Sequence, residues 1–382
     1  MDSGYFITGI NTRNLLRLVA RNGISLRPHY ISRLLFLFNC SVPTSFFSLF
    51  DKIGYEKKIR EISTPEDPVF IVGHWRTGST FLHQLLNLSP HMAAPTLFQI
   101  GAPESFLSSR KILYPLIKPF LTPRRTVDNV ALGLEEPQED EYALFRMTTI
   151  SPVEELIFPK SNRFFLSGVD DYMPKEEEDK KKWKDSFRLF YRKLAFKTGK
   201  RLVFKNPFHS MRIPVLASMF PKAKFIHIHR NPLSVIPSTM HMWSVVGRQN
   251  ALRDEIRAPR LEEVVDVYDK MMWKVRSDLQ KLPEEQHHQI RFDELEEDVP
   301  GMISGICRFL HIPFNQIYKQ NLSSFKRRVG SYRKNRYALT DSDKQYIRKK
   351  LKHHMVHFGY ISNESCHHHY CSGSGIDSAV GT

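Results

Sequence analysis

Residues 68–80 constrain this chain more than any other stretch. Pro68-Val69-Phe70-Ile71-Val72 is a short continuous apolar run, the pattern of a β-strand buried on both faces of a parallel sheet. Gly73-His74-Trp75-Arg76-Thr77-Gly78-Ser79-Thr80 follows, and Phe81 to Leu88 then reads as a helix closed by Ser89-Pro90. A glycine loop between a buried strand and a helix start turns backbone N–H groups toward a phosphate. The loop fits G-x-x-x-x-G-x-[ST], but Ser79 stands where a Walker loop has lysine. Without that lysine, hydrolysis of a nucleoside triphosphate is disfavoured. Arg76 brings positive charge into the loop instead, where a bridging or terminal oxygen would lie.

Further strands are predicted at Arg201-Leu202-Val203-Phe204 and Lys224-Phe225-Ile226-His227-Ile228-His229, with helices at Met211 to Met219 and from Pro232 to Trp243. Strands alternating with helices predict an α/β fold, a parallel β-sheet flanked by helices. The second strand runs into Arg230-Asn231-Pro232, and Ser238 lies eight residues beyond Arg230 on the next helix. Arg at a strand end offers a forked charged donor, and the serine hydroxyl adds a second donor from the helix.

Taken together, the two motifs resemble the sulfotransferases that use 3'-phosphoadenosine-5'-phosphosulfate (PAPS), whose core is similar to nucleotide kinases without the Walker lysine. The resemblance spans residues 68 to 360 and implies a P-loop-like sulfotransferase fold. It implies that Arg76 contacts the bridging oxygen and that Thr77, Gly78, Ser79 and Thr80 hold the 5'-phosphate. Phe81 falls where an aromatic stacks on adenine, and Arg230 with Ser238 where the 3'-phosphate is bound. Ile290-Arg291-Phe292-Asp293-Glu294-Leu295, with Phe309-Leu310, is similar to the family's late strand and following helix, with Phe292 at an adenine contact. The basic stretch containing Tyr332 and Lys334 resembles the last 3'-phosphate contact; a solvated charged surface explains it equally well. The implied activity is transfer of a sulfuryl group from PAPS, leaving adenosine 3',5'-bisphosphate, with no metal required.

Sulfuryl transfer needs positive charge at the leaving oxygen and a base for the acceptor hydroxyl. Arg76 is the candidate for the first role, and Lys205 falls where the resemblance puts a lysine near the transferring group. The base departs from the pattern. Pro207 stands where many members have histidine, His209 is displaced, and Ala93 to Ile100 lacks a glutamate. The remaining carboxylates lie in Leu134-Glu135-Glu136-Pro137-Gln138-Glu139-Asp140-Glu141. Pro137 is read as a helix start with Glu139 in the first turn, and Glu136 or Glu139 is the candidate base. A dipole partner is the plainer role for either.

The chain divides into a helical N-terminal segment (1–65) packing on the core, a sulfotransferase domain (66–360) and a disordered tail (361–382). Leu34 to Phe50 is apolar, yet Asn39, Pro43 and neighbouring hydroxyls interrupt it, so no membrane span is expected. Its amphipathic pattern suits a cap on the domain or, alternatively, peripheral contact with a membrane. Four cysteines show no disulfide framework and no signal peptide opens the chain, which points to a cytoplasmic protein. Cys366 to Cys371 encloses three histidines, without the second ligand pair of a structural metal site.

With 56 Lys and Arg against 40 Asp and Glu, the net charge of +16 favours an anionic partner. Two rivals follow: a divergent P-loop kinase or NTPase, and a basic nucleic-acid-binding protein. The first needs the missing lysine and a magnesium-binding Asp; the second needs neither phosphate motif. The preferred partner is a small hydroxylated acceptor and no nucleic acid. Phe98, Phe106, Phe145, Met147, Phe164 and Phe165 hint at an apolar alcohol such as a sterol or lipid, although core packing accounts for them as well. The oligomeric state is left open.

Overall fold

The central strands form where β-branched and aromatic residues cluster. The computed structural model describes residues 6–121, 132–159, 164–168, 170–253, 257–329 and 337–362. Its five strands are β1 (Val69–Val72), β2 (Met92–Ala93), β3 (Arg201–Lys205), β4 (Lys224–His229) and β5 (His287–Arg291). They lie in the order β2-β3-β1-β4-β5, and every pairing is parallel. This is the parallel α/β sheet the sequence predicts. Neither β2, two residues long, nor the polar β5 shows a readable apolar run, and the stretch from Phe292 that follows β5 is a helix (Phe292–Glu297).

Parallel strands buried on both faces need two apolar layers, and alternation along each strand supplies them. Phe70, Phe204 and Phe225 sit opposite one another on β1, β3 and β4, with ring centroids 5.7 and 5.5 Å from Phe70. Val69, Ile71, Val203, Ile226 and Ile228 face the other layer. Each such burial contributes about 1.5–3 kcal/mol.

The helices, in chain order, are α1 (Thr12–Asn22), α2 (Pro28–Glu61), α3 (Ser79–Asn87), α4 (Leu97–Gly101), α5 (Phe106–Ile117), α6 (Glu141–Thr148), α7 (Val153–Ile157), α8 (Glu177–Thr198), α9 (Ile213–Met219) and α10 (Pro232–Asn250). Further helices between Leu261 and His357 complete the described chain. The tail expected at 361–382 lies, apart from its first two residues, outside the described residues.

One sequence expectation fails in α2. Pro43 does not break the helix, which runs unbroken for 34 residues and is long and apolar enough to cross a membrane by length and composition. Polar anchors hold one of its faces to the rest of the chain. Ser45 accepts from the Thr12 amide (2.8 Å), and buried Asp51 pairs with buried Lys193 of α8 (2.7 Å). Such a pair compensates the desolvation of both charges only while both partners stay. Asp51 also accepts from the Ser108 amide of α5 (2.7 Å), tying α2, α5 and α8 together.

Candidate functional site

Parallel strands end their C-termini on one edge, where the loops that follow can converge on a ligand. Here the neighbouring strands β3, β1 and β4 deliver Lys205, the loop 73–78 and Arg230 to that edge. Ile71 sits opposite Lys205, and Val72 opposite His227.

The loop backbone is built for close approach. Gly73 has φ +146°, and a Cβ there would overlap the Ile228 carbonyl oxygen. Ser210 clamps the loop from the side: its hydroxyl accepts from the Gly73 amide (2.8 Å) and donates to the Gly73 carbonyl (2.9 Å). The Thr77 hydroxyl donates to the His74 carbonyl (2.8 Å). Arg76 (φ 68°) and Gly78 (φ 90°) both adopt the left-handed region, a conformation costly for the arginine. Strain of that kind is tolerated where surrounding bonds over-determine the loop. No side chain caps the start of α3, so its first N–H groups keep the capacity to hold an anion. Ser79 and Thr80 open that helix.

The two sequence motifs meet. Arg76 Nε donates to Ser238 Oγ at 2.9 Å, joining residues 162 positions apart. Arg230 lies over the Phe292 ring, its guanidinium carbon 4.7 Å from the centroid. The other side of that ring fills the space above Gly78, where a Cβ would overlap it. Phe292 thus links the β4 arginine to the phosphate loop. Phe81 is half-buried and approaches Phe325 (6.2 Å between centroids). Tyr332 and Lys334 lie outside the described residues, as does the Cys366 to Cys371 run.

The acidic run is decided by tertiary pairing. Lys205 forms a close ion pair with Glu139, both side chains largely buried. Asp140 and His209 are fully buried partners at 2.7 Å. Glu141 takes a forked contact from Arg212 (2.5 and 3.0 Å) and further bonds from Asn206 and Ser151. Those partners hold the Glu141 carboxyl below its usual range, against the burial that pushes it up. Three consecutive acids therefore dock on Lys205 at the end of β3 and on His209 and Arg212 of the segment after it. Asp140, Glu141, His209 and Arg212 were not singled out as partners from sequence; no local pattern links positions some seventy residues apart.

One expectation is corrected here. Pro137 does not start a helix: it bridges Thr96, and α6 begins only at Glu141, so Glu139 precedes the helix. Glu139 thus lies outside the helix and faces Lys205. Glu136 lies on the other flank, accepting from Gln84 of α3 at 3.4 Å, and its carbonyl accepts from the Leu97 amide. The phenylalanines and Met147 read as hints of an acceptor pocket are all buried in one core cluster. Trp75, next to Arg76 in the chain, packs edge-on against Phe208 (5.1 Å) and Trp243 (5.4 Å), and Phe165 packs on Trp243 (4.8 Å).

Comparison with known proteins agrees with this geometry. Omega-hydroxy-beta-dihydromenaquinone-9 sulfotransferase Stf3 of Mycobacterium bovis and its counterpart in Mycobacterium tuberculosis are each 29% identical over 357 residues, 92% of this chain and 90% of the relative. The crystal structure of sulfotransferase STF9 from Mycobacterium avium superimposes with a TM-score of 0.65 at 12% identity, covering 91% of this chain and 97% of that one. Sulfotransferase STF1 from Mycobacterium tuberculosis H37Rv gives 0.57 at 17% identity, with 88% and 90% covered. The family model described as the sulfotransferase family matches residues 68–316, from the first strand through both phosphate motifs and the late strand. With its phosphate loop, Arg230 and Ser238 gathered on one sheet edge and that match over more than half its length, the chain belongs to the sulfotransferase family.

Proposed function

We propose that this enzyme takes the sulfuryl group from PAPS and passes it to the hydroxyl of an apolar, lipid-like alcohol. The observation that carries the reading is the Arg76–Ser238 hydrogen bond, which unites the two phosphate motifs beside the Lys205–Glu139 pair. Family membership sets the kinase alternative aside, in keeping with Ser79 at the lysine position. The menaquinone-derived acceptor in the name of the mycobacterial relatives favours a lipid alcohol here.

The residues fit the nucleotide. The uncapped start of α3 and the left-handed turns at Arg76 and Gly78 suit a 5'-phosphate, held by Thr77, Gly78, Ser79 and Thr80. Arg230 and Ser238 suit the 3'-phosphate, with Tyr332 and Lys334 further candidates. Phe81 and Phe292 are the aromatic candidates for adenine. When bound, PAPS supplies the sulfuryl group and a phosphate leaving group. Arg76 and Lys205 meet the negative charge that develops on the leaving oxygen. Glu139 takes the acceptor's proton as the new O–S bond forms, while Lys205 holds the carboxylate in place. Glu136, three residues earlier on the opposite flank, is the alternative base.

Transfer of sulfur label from PAPS into the organic phase, with a hydroxylated polyprenyl quinone as acceptor, tests the reading directly. A chain that sulfates only small phenols would disprove the lipid assignment. Two substitutions separate the roles. Glu139→Gln is expected to lower turnover at least about 100-fold with little change in nucleotide affinity; near-normal turnover, with the loss appearing in Glu136→Gln, reverses the assignment. Arg230→Ala is expected to weaken adenosine 3',5'-bisphosphate about 10-fold or more and to spare the 5'-monophosphate. Equal losses for the two nucleotides would put the 3'-phosphate elsewhere.

A further inference from the structure

The long helix α2 is apolar on the wrong side for a helix that only caps a core. Its inward stripe holds Leu37, Ser41, Thr44 and Asp51. Its outward stripe is Leu35, Phe38, Val42, Phe46, Leu49 and Ile53, spaced three or four residues apart and so aligned on one face. Phe46 and Ile53 are 58% and 77% exposed, and the others are exposed as well. The stripe is about 27 Å long at 1.5 Å per residue. Helix α5, docked on α2 through Ser108 and Asp51, adds exposed Ile112 and Leu116, with exposed Phe120 just beyond its end. Patches this long on a soluble surface mark an interaction site.

Charge selects the occupant. Residues 6–50 contain Arg13, Arg17, Arg21, Arg27 and Arg33 and no Asp or Glu. Residues 105–121 contain Arg110, Lys111 and Lys118, again with no acid. Nearby acids are paired, Asp51 with Lys193, Glu56 with Arg60, Glu61 with Lys57 and Glu135 with Arg110, so an apolar helical face with this surplus of cations complements an anionic lipid surface. It does not complement itself, since a second copy would bring the same positive charge against it. Spanning the bilayer is opposed by the inward face. Crossing would strip Ser45 from Thr12 and Asp51 from Lys193 and leave those polar groups unpaired.

We propose that α2, with the end of α5, lies in the plane of an anionic phospholipid membrane, its outward stripe sunk among the acyl chains. The placement bears on chemistry through α5. Arg110 pairs with Glu135 at 2.7 Å, and α4 bonds to the carbonyls of Leu134 and Glu136. The segment that carries both candidate bases is therefore tied to the docking helices, which suits delivery of an acceptor from the bilayer. Docking itself stands on the surface alone, so it can hold even if the acceptor proves not to be a lipid.

Flotation of the full chain with vesicles of mixed phosphatidylglycerol and phosphatidylcholine tests it. The chain is expected to float with these vesicles, to float poorly with pure phosphatidylcholine, and to be released as salt rises. Phe46→Glu combined with Leu49→Glu should cut the bound fraction about 10-fold or more, while thermal stabilisation by adenosine 3',5'-bisphosphate persists and certifies the fold. Phe46→Trp serves as an independent probe, since bromine-labelled acyl chains should quench it. Unquenched Phe46→Trp, unaltered binding of the double variant, or no binding by the parent chain overturns the proposal. So does a sedimentation mass showing a dimer that the double variant dissolves, because a second copy then covers the face. Resistance to alkaline carbonate extraction would equally overturn it in favour of a spanning helix.

Discussion

Arg76→Ala is expected to lower sulfuryl-transfer turnover by about three orders of magnitude, some 4 kcal/mol of transition-state stabilisation. Little covalent chemistry falls to the protein in a transfer of this kind, so a charge placed at the leaving oxygen carries much of the rate. No other loop residue can replace it, for Ser79 stands at the position of the Walker lysine. The variant should fold. Alanine adopts the positive φ of this position at a cost similar to arginine's, and the loop stays clamped by Ser210 and by the Thr77 hydroxyl. The measurement is single-turnover transfer from labelled PAPS, with nucleotide affinity measured in parallel. A loss confined to affinity, or turnover within about 10-fold of the parent, removes Arg76 from the transition state and leaves it a role through Ser238 alone.

Acid should destabilise the fold steeply well before its carboxylates titrate. His74, His83 and His227 are completely buried, and burial lowers them from 6.5 to about 4, about 3 and about 3 respectively. For His83 the charge of Lys205 adds to the same shift, and for His227 that of His229 does. The folded chain keeps these rings neutral while the unfolded chain protonates near 6.5. Their contribution is therefore intact above that value and is lost as pH falls toward the folded values. At pH 5 each ring costs about 2 kcal/mol relative to neutral pH, or about 6 kcal/mol for three, against a typical domain stability of about 5–15 kcal/mol. Denaturant unfolding at pH 7 and pH 5 reads this directly. Equal stabilities at the two values would mean that the rings are charged or solvated in the native state. His83→Gln should flatten the slope by about a third.

Much of the scaffold was legible because its signals are local. Four or five consecutive apolar residues ending at glycine read as a buried strand and turn, whatever packs on them. Arg230 and Ser238 keep a fixed offset within one strand–helix turn, so their pattern survives without any knowledge of the fold.

What tertiary structure alone decided is which groups meet. Glu139, Asp140 and Glu141 read as one acidic cluster, yet one faces Lys205 at the sheet edge and two are buried on His209 and Arg212. The partners lie some seventy positions away, and only the packing of the segment that opens α6 against the end of β3 and the turn after it brings them together. Phe292 reads as an aromatic after a late strand; that it roofs Gly78 beneath Arg230 depends on β5 lying beside β4. Pro43 reads as an interruption, but bonds from Thr12 to Ser41 and to Ser45 hold α2 on both sides of it and offset the missing backbone hydrogen bond. The periodicity of α2 was visible, but which stripe turns outward was not. Hydropathy records what a side chain prefers, and only the packed neighbours determine whether it is granted. By itself the sequence determined the sheet, the phosphate motifs and the family chemistry they resemble; long-range contacts determined the ion pairs and the exposed face, because their energies reside in partners that no local pattern names.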